Sequence, residues 1–284
     1  MGKALFMRKG DVHTAPSGSG GMPPIGTPLN DMTWGQVRAI SDAGLATSYF
    51  SVGDTKTIAI NGYFGGSSFN LDVDVFILGI DHNSSREGAN RIHFQIGKIG
   101  GKNICFTDTW LGYEIDTGTH FVMNNTAVNT GGWGSSRIRS AVLGNNGTPA
   151  DPPFDTMLYA LPSDLLAVMK SATKYTDNTG GGANTASYVT ATTDYLWLLA
   201  EFEVFGTRSK ANSAEQNYQK QYDYYKAGNS KLMYNYENTG TANNCWLRSP
   251  VATETTTFAT VRNTGAVYTA IANYSNGLVS AFCV

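Results

Sequence analysis

The chain has 284 residues, only 15% of them charged, with a formal net charge of -2, 32 glycines and 12% aromatic residues. That length suits one large domain or two small ones with a substantial core, and the composition argues for strands and shaped loops against a coiled coil, a simple helix bundle or disorder. No block of Lys and Arg is present, so a nucleic-acid partner is disfavoured, because phosphate-backbone affinity comes from clustered cations.

Along the chain, Met1 to Lys9 carries Lys3, Arg8 and Lys9. Its apolar run, Ala4 to Met7, is shorter than the roughly 7 to 15 residues of a signal peptide, and no window approaches the ~20 apolar residues of a membrane span. Expected, then, is a protein made in the cytoplasm without a signal peptide. Residues 10–30 are dense in Gly, Ser and Pro and read as a linker, so 1–30 is expected to be a flexible arm. Thr33-Trp34-Gly35-Gln36 is a capping box that leads into Val37, Ile40 and Ala43, with Gly44 at the stop, which predicts a helix of about three turns.

Three Ile-, Val- and Phe-rich segments follow, Thr55 to Phe64, Leu71 to Ile80 and Arg91 to Ile96. Turn residues separate them, and Leu71 to Phe76 alternates apolar with polar, so all three are predicted strands. Ser135 to Leu143 and Pro162 to Lys170 read as short helices, the second with Pro near its first position. Ser213 to Lys226 reads as a longer helix in which Tyr218, Tyr222 and Tyr225 share a packing face. The remainder, rich in Gly, Thr and Asn, reads as strands and loops. No repeat of 20 to 50 residues is visible, and residues 31–284 are expected to form one α+β domain.

Catalytic signatures are sparse: the chain contains no His-Glu-x-x-His, Gly-x-Ser-x-Gly, Walker loop or dinucleotide fingerprint. The four histidines are His13, His82, His93 and His120. Asp81-His82-Asn83 with Glu87 has the oxygen and nitrogen donors of a cation site, and equally the side chains of a self-bonded turn. Asp72 and Asp74 fall on one strand face, as paired carboxylates or as an outward polar face. Cys105, Cys245 and Cys283 are too few for a disulfide framework and lack zinc spacing. Cys245 and Cys283 could pair as redox or nucleophilic thiols, although nothing in either neighbourhood would lower a thiol pKa.

The C-terminal segment from Asn235 is the most informative. It holds seven Asn, nine Thr, three Tyr and seven Ala, but only four charged residues, Glu237, Arg248, Glu254 and Arg262. Small hydrogen-bonding groups with a few rigid tyrosines are the chemistry with which antibody loops meet diverse surfaces. Trp246-Leu247-Arg248-Ser249-Pro250, Phe258, Gly265 and Ala281-Phe282-Cys283-Val284 look like a supporting framework.

Those framework residues, together with Tyr49 to Asp54, Ile77 to Asn83, Gly131-Gly132-Trp133 with Ser136 and Arg139, Leu161-Pro162 and Trp197 to Gly206, resemble a family of prophage-encoded domains of unassigned function. The likeness runs over roughly residues 34–284. Members of that family resemble the variable proteins of diversity-generating retroelements, in which a C-type lectin fold displays randomised side chains from its C-terminal segment. The resemblance therefore implies a C-type lectin-like α+β fold of short antiparallel sheets, a few helices and long irregular loops. It also implies a receptor-recognition or adhesion protein of a prophage or its bacterial host, whose partner is a protein or glycan on a cell surface. The arm 1–30 would dock on a phage particle, homo-oligomerisation would add avidity, and the protein would act on the particle or at the bacterial surface.

The same fold is shared with formylglycine-generating enzymes, whose activity requires paired reactive cysteines, and the three cysteines here match no such pair. The calcium-binding Glu-Pro-Asn and Trp-Asn-Asp motifs of sugar-binding lectins are absent. No cofactor is expected; the one alternative is a structural cation near Asp81. A metal- or cysteine-dependent enzyme and a non-binding particle protein remain the other function classes.

Adenine mutagenesis of AAY codons, as such retroelements perform it, never yields Lys, Gln, Glu, Met or Trp. Residues 238–284 hold two of these, Trp246 and Glu254, where the chain's average would place about six. On this argument Asn243, Asn244, Thr253, Thr255, Thr257, Asn263, Thr264, Tyr268, Thr269, Asn273 and Tyr274 are expected to be the variable, exposed, ligand-contacting positions. Trp246, Arg248, Phe258, Gly265 and Phe282 are expected to hold them in place.

Overall fold

A computed structural model describes residues 21–108, 112–113 and 120–284. Its helices are short: α1 Trp34–Asp42, α2 Ala46–Tyr49, α3 Ser84–Glu87, α4 Met157–Ala160, α5 Ser163–Leu166, α6 Glu201–Phe205 and α7 Asp223–Lys226. The strands are β1 Thr55–Phe64, β2 Ser67–Ile80, β3 Ile92–Ile99, β4 Lys102–Cys105, β5 Ala172–Asp177, β6 Val189–Asp194, β7 Met233–Asn235, β8 Ala242–Asn243, β9 Cys245–Pro250, β10 Thr257–Val261, β11 Val267–Ile271 and β12 Ala281–Cys283. The class is α+β.

The largest sheet runs β1-β2-β3-β4-β7-β8, with β12 added to β3. β1 and β2 form a hairpin in unbroken antiparallel register from Thr55 opposite Phe76 to Phe64 opposite Ser67. Gly65 and Gly66 make its turn at φ 56° and 85°, the pair of positive values that a two-residue hairpin requires. Side chains alternate along β1, so Ile58, Ile60 and Phe64 are buried, and Asp72 and Asp74 face outward, Asp74 accepting a bond from the Thr57 hydroxyl. A three-stranded sheet β11-β10-β9 and a two-stranded sheet β5-β6 complete the framework.

α1 begins as its capping box requires: the Gln36 amide donates to Thr33 Oγ1 at 3.2 Å and the Thr33 amide to Gln36 Oε1 at 2.9 Å. The helix buries Trp34, Val37 and Ile40, and Trp34 stands edge-on to Phe94 of β3 and Phe282 of β12, at 5.5 and 5.9 Å between ring centres. Thr33→Ala removes one of the helix's start bonds and is expected to cost about 1 kcal/mol, read as a lower urea midpoint at unchanged slope.

Four expectations need correction. The linker does not extend to residue 30, because Leu29 is buried in the core, Tyr49 bonds the Pro23 carbonyl and the Lys56 ammonium bonds the carbonyls of Asn30 and Met32. The rest of the expected arm, residues 1–20, lies outside the described residues. Ser135 to Leu143 carries a π-helical turn, Ile138–Val142, and Pro162 to Lys170 is helical only over Ser163–Leu166.

The long helix expected over Ser213 to Lys226 is broken into a 3-10 turn, Glu215–Asn217, and α7. Between them the Tyr222 amide donates to the Glu203 carbonyl, Gln219 to the Tyr175 carbonyl and Gln221 to the Val204 carbonyl. Tertiary bonds thus replace the i to i-4 ladder. Tyr222 and Tyr225 are buried all the same, and Tyr218 stacks on Tyr175 with 5.0 Å between centres.

Candidate functional site

β9 carries the framework. All six of its residues are buried, and β10, its antiparallel partner, is buried throughout as well. Trp246 donates from its ring nitrogen to the Phe121 carbonyl at 2.7 Å and stands edge-on to Phe258. Gly265 sits at φ 81° in the turn that returns β10 into β11. Of the expected framework residues Phe282 alone belongs elsewhere: it stacks on Phe94 in the largest sheet.

Of the eleven expected ligand positions, Thr253, Thr255, Asn263, Thr264 and Tyr268 are exposed, while Asn244, Thr269 and Tyr274 are half-buried. Asn243, Thr257 and Asn273 are buried, which corrects their expected exposure. Thr257 is the first residue of the wholly buried strand β10, opposite Ile271, with its hydroxyl donating to Glu254, and Asn243 lies in β8, paired with β7. Asn244 has a supporting role: its side-chain oxygen accepts from the Asn263 amide at 2.9 Å and caps the β10–β11 turn.

The exposed positions divide between the two ends of β10. Thr253 and Thr255 lie in the loop after β9. Asn129 fastens that loop, donating to the carbonyls of Glu254 and Thr257 while its own amide donates to the Thr255 carbonyl. Asn263, Thr264 and Tyr268 lie at the far turn and on the edge strand β11, where the Arg262 guanidinium covers the Tyr268 ring at 4.8 Å. A strand of five residues separates the two groups by about 17 Å. The cavity under β9, lined by Trp246, Leu247, Tyr225 and Val279, measures about 10 Å³, room for a single water at most. A ligand of any size therefore meets this region on its outer surface.

Beneath this face lies a charged cluster that the sequence reading did not assemble. Arg248, on β9, has no exposed surface. It donates to Thr176 Oγ1 at 2.7 Å and to the Leu198 carbonyl at 2.8 Å, and grips Glu203 with both terminal nitrogens, at 2.5 and 2.8 Å. Glu203 in turn accepts from the Ala200 amide at the start of α6. The Lys174 ammonium, inward on β5 two residues from Thr176, contacts Glu203 Oε1 at 3.0 Å and Glu87 Oε2 at 2.7 Å. The Tyr222 hydroxyl lies 3.2 Å from that ammonium and 3.0 Å from Nδ1 of His93. His82 stacks on the Tyr222 ring at 3.8 Å.

Burial works against each of these charges, and neighbours decide the outcome. It pushes the Glu203 carboxyl up, but Arg248 and Lys174 outweigh it and hold that group far below the usual range. Burial likewise opposes the Arg248 charge, and Glu203 more than restores it. Glu87, with Lys174 as a partial offset, ends above its ordinary value because burial dominates. Burial and the nearby Lys174 charge bring His82 down to about 3 and His93 well below its usual value.

His82, Glu87 and Glu203 form the set among the described residues whose spacing could ligate a metal, their donor atoms lying within 4.8 Å of one another. Lys174 bonds both carboxylates, so an ammonium holds the place of a cation there. Asp81 is outside that set: at φ 49° it makes the turn, exchanging bonds with Arg91. The thiols also differ from expectation. Cys245 faces Cys105, not Cys283, and Gly277 is needed between them because a Cβ there would fall 2.6 and 2.7 Å from the two sulfurs. Cys283 instead bonds the Lys170 carbonyl. Burial raises the Cys245 thiol and lifts Cys283 to about 12, which leaves neither a nucleophile at neutral pH.

Residues 112–284 match the family described as a domain of unknown function, DUF6273, and the chain belongs to that family. No curated protein and no solved structure matches it. Among the described residues no helix is long and apolar enough to cross a membrane.

Proposed function

We propose that this is a ligand-binding protein rather than an enzyme: a receptor-recognition or adhesion protein of a prophage or its bacterial host, with a C-type lectin-like fold. Its ligand, a protein or glycan on a cell surface, would be contacted by the C-terminal face. The observation that carries this reading is the division of labour around β10. Uncharged side chains at 253, 255, 263, 264 and 268 point outward, while the strands beneath are fixed by Trp246 and Arg248. Side chains so placed can change without disturbing the core, and a rigid scaffold under adaptable polar loops lowers the ordering cost of binding. Tyr268, a large ring already held by Arg262, is the natural anchor. Residues 1–20 would join the protein to a particle or assembly, where several copies would add avidity.

The test is to compare the gene among related isolates. Substitutions are expected to concentrate at codons 253, 255, 263, 264 and 268, with a reverse transcriptase and an unchanging template copy nearby. An even spread along the chain would sink the diversification reading. In binding to whole cells of a recognised host, Tyr268→Ala is expected to lose at least tenfold in affinity at unchanged thermal stability, the cost of more than about 1.4 kcal/mol typical of an aromatic anchor.

A further inference from the structure

The contact between Lys174 and Glu87 has the parts needed for a chemical bond. Its ammonium lies 2.7 Å from Glu87 Oε2, with both side chains almost wholly buried. A second carboxylate, Glu203, sits 3.0 Å from the same nitrogen and is itself neutralised by Arg248. The Trp197 ring lies 4.7 Å from the nitrogen and the Tyr222 ring 5.5 Å away, so the site is walled by aromatic faces. The Asn83 side-chain amide stands 3.5 Å from the other Glu87 oxygen, where it can steady charge that develops on that oxygen. A group fixed this closely against its electrophile has the effective concentration of an intramolecular reactant, and exclusion of water removes the competing hydrolysis.

We propose that Lys174 and Glu87 condense to an intramolecular amide, with Glu203 as the positioning residue that holds the nitrogen in place. One proton crosses from the Lys174 ammonium to Glu87, converting the ion pair to a neutral amine and a carboxylic acid. The free electron pair on Nζ then attacks Cδ of Glu87 and forms the C–N bond. The nitrogen passes a proton to the departing hydroxyl, which leaves as water. The products are one amide and one water, and no oxidant or other reactant is required. The rise that burial imposes on the Glu87 carboxyl favours the neutral acid at the first step. The bond would tie α3 to β5 and close the chain between residues 87 and 174, giving a protein without a disulfide framework a covalent staple.

The proposal stands apart from the ligand-binding reading, since the reaction uses none of the exposed positions. Its test is mass spectrometry of the full, folded chain after denaturation and digestion. The expected result is one peptide pair, holding Glu87 and Lys174, joined with the loss of one water. Fragments cut between those residues are then expected to stay together on a denaturing gel. Separate, unmodified peptides from protein incubated for days at neutral pH would overturn the bond. Lys174→Arg keeps a cation but is expected to show no joined pair. Glu203→Gln is expected to abolish the joined pair and Glu203→Asp to slow its appearance at least tenfold, both checked for native circular dichroism. A wild-type rate of joining in folded Glu203→Asp or Glu203→Gln would remove Glu203 from the reaction.

Discussion

Arg248→Met is expected to destabilise the protein by about 3–5 kcal/mol, the usual cost of leaving one member of a buried ion pair unpaired. In the native protein Arg248 spends four donor contacts on Thr176, the Leu198 carbonyl and the two oxygens of Glu203. With the guanidinium gone, Glu203 keeps Lys174 and the Ala200 amide, yet it loses its bidentate partner in a site closed to water. Burial would then push its carboxyl up, and the helix start at α6 would weaken with it. The double variant Arg248→Met with Glu203→Leu removes both charges. It is expected to recover most of the loss, because apolar groups of similar volume can replace such a pair at little cost. Urea midpoints at constant slope give both numbers. A single variant within 1 kcal/mol of wild type would mean that Lys174 alone satisfies Glu203. A double variant no better than the single would place the stabilisation in Arg248's bonds to Thr176 and Leu198.

The fate of Arg248 shows how far the sequence could be read. Its place in an apolar run, Trp246 to Pro250, marked it as a fixed residue, and it is fixed. Its partner was also in view: Glu203 stands in Trp197 to Gly206, where two carboxylates interrupt a string of apolar residues. A charge inside such a run calls for a buried counter-charge, but nothing local says that the counter-charge lies 45 residues away. Lys174 carried no such mark: that Ala172 to Asp177 is a strand with Lys174 on its inward side is seen only in the fold. Period and capping chemistry act between neighbours, so β1 and the start of α1 emerge at their observed residues. The charged cluster joins α3, β3, β5, α6 and β9, and its geometry exists only after the chain has folded. The broken helix after Ser213 has the same cause, since Gln219, Gln221 and Tyr222 bond to residues far away in sequence. Composition located the polar C-terminal face but could not separate Thr255, outward in a loop, from Thr257, two residues on and buried where β10 begins.

The buried cluster also gives the protein an expected pH profile: a shallow dependence of stability between about pH 6.5 and 4.5, where opposing groups offset one another, and a steeper fall below about 4.5. The sign follows from which state holds more protons. His82, at about 3 in the fold, and His93, also far below its ordinary value, stay neutral where the unfolded chain takes up protons, so both lose stability as pH falls below about 6.5. Two buried carboxyls act the other way. Burial lifts Glu215 to about 7, with Ser249 and the Asp177 amide as partial offsets, and Glu87 is raised too in molecules where it has not joined Lys174. Both hold protons in the fold that the unfolded chain gives up above about 4.5, so their stabilising share grows as pH falls toward 4.5 and cancels much of the histidine loss. Below 4.5 they are protonated in both states and the cancellation ends. Glu203, held low by Arg248 and Lys174, then joins the histidines, and the loss of stability steepens as pH falls further. Urea midpoints at half-unit steps from pH 3 to 7.5 read the profile directly. His82→Phe, which keeps a ring on Tyr222 and cannot take up a proton, is expected to shallow the fall; an unchanged slope would take His82 out of this balance.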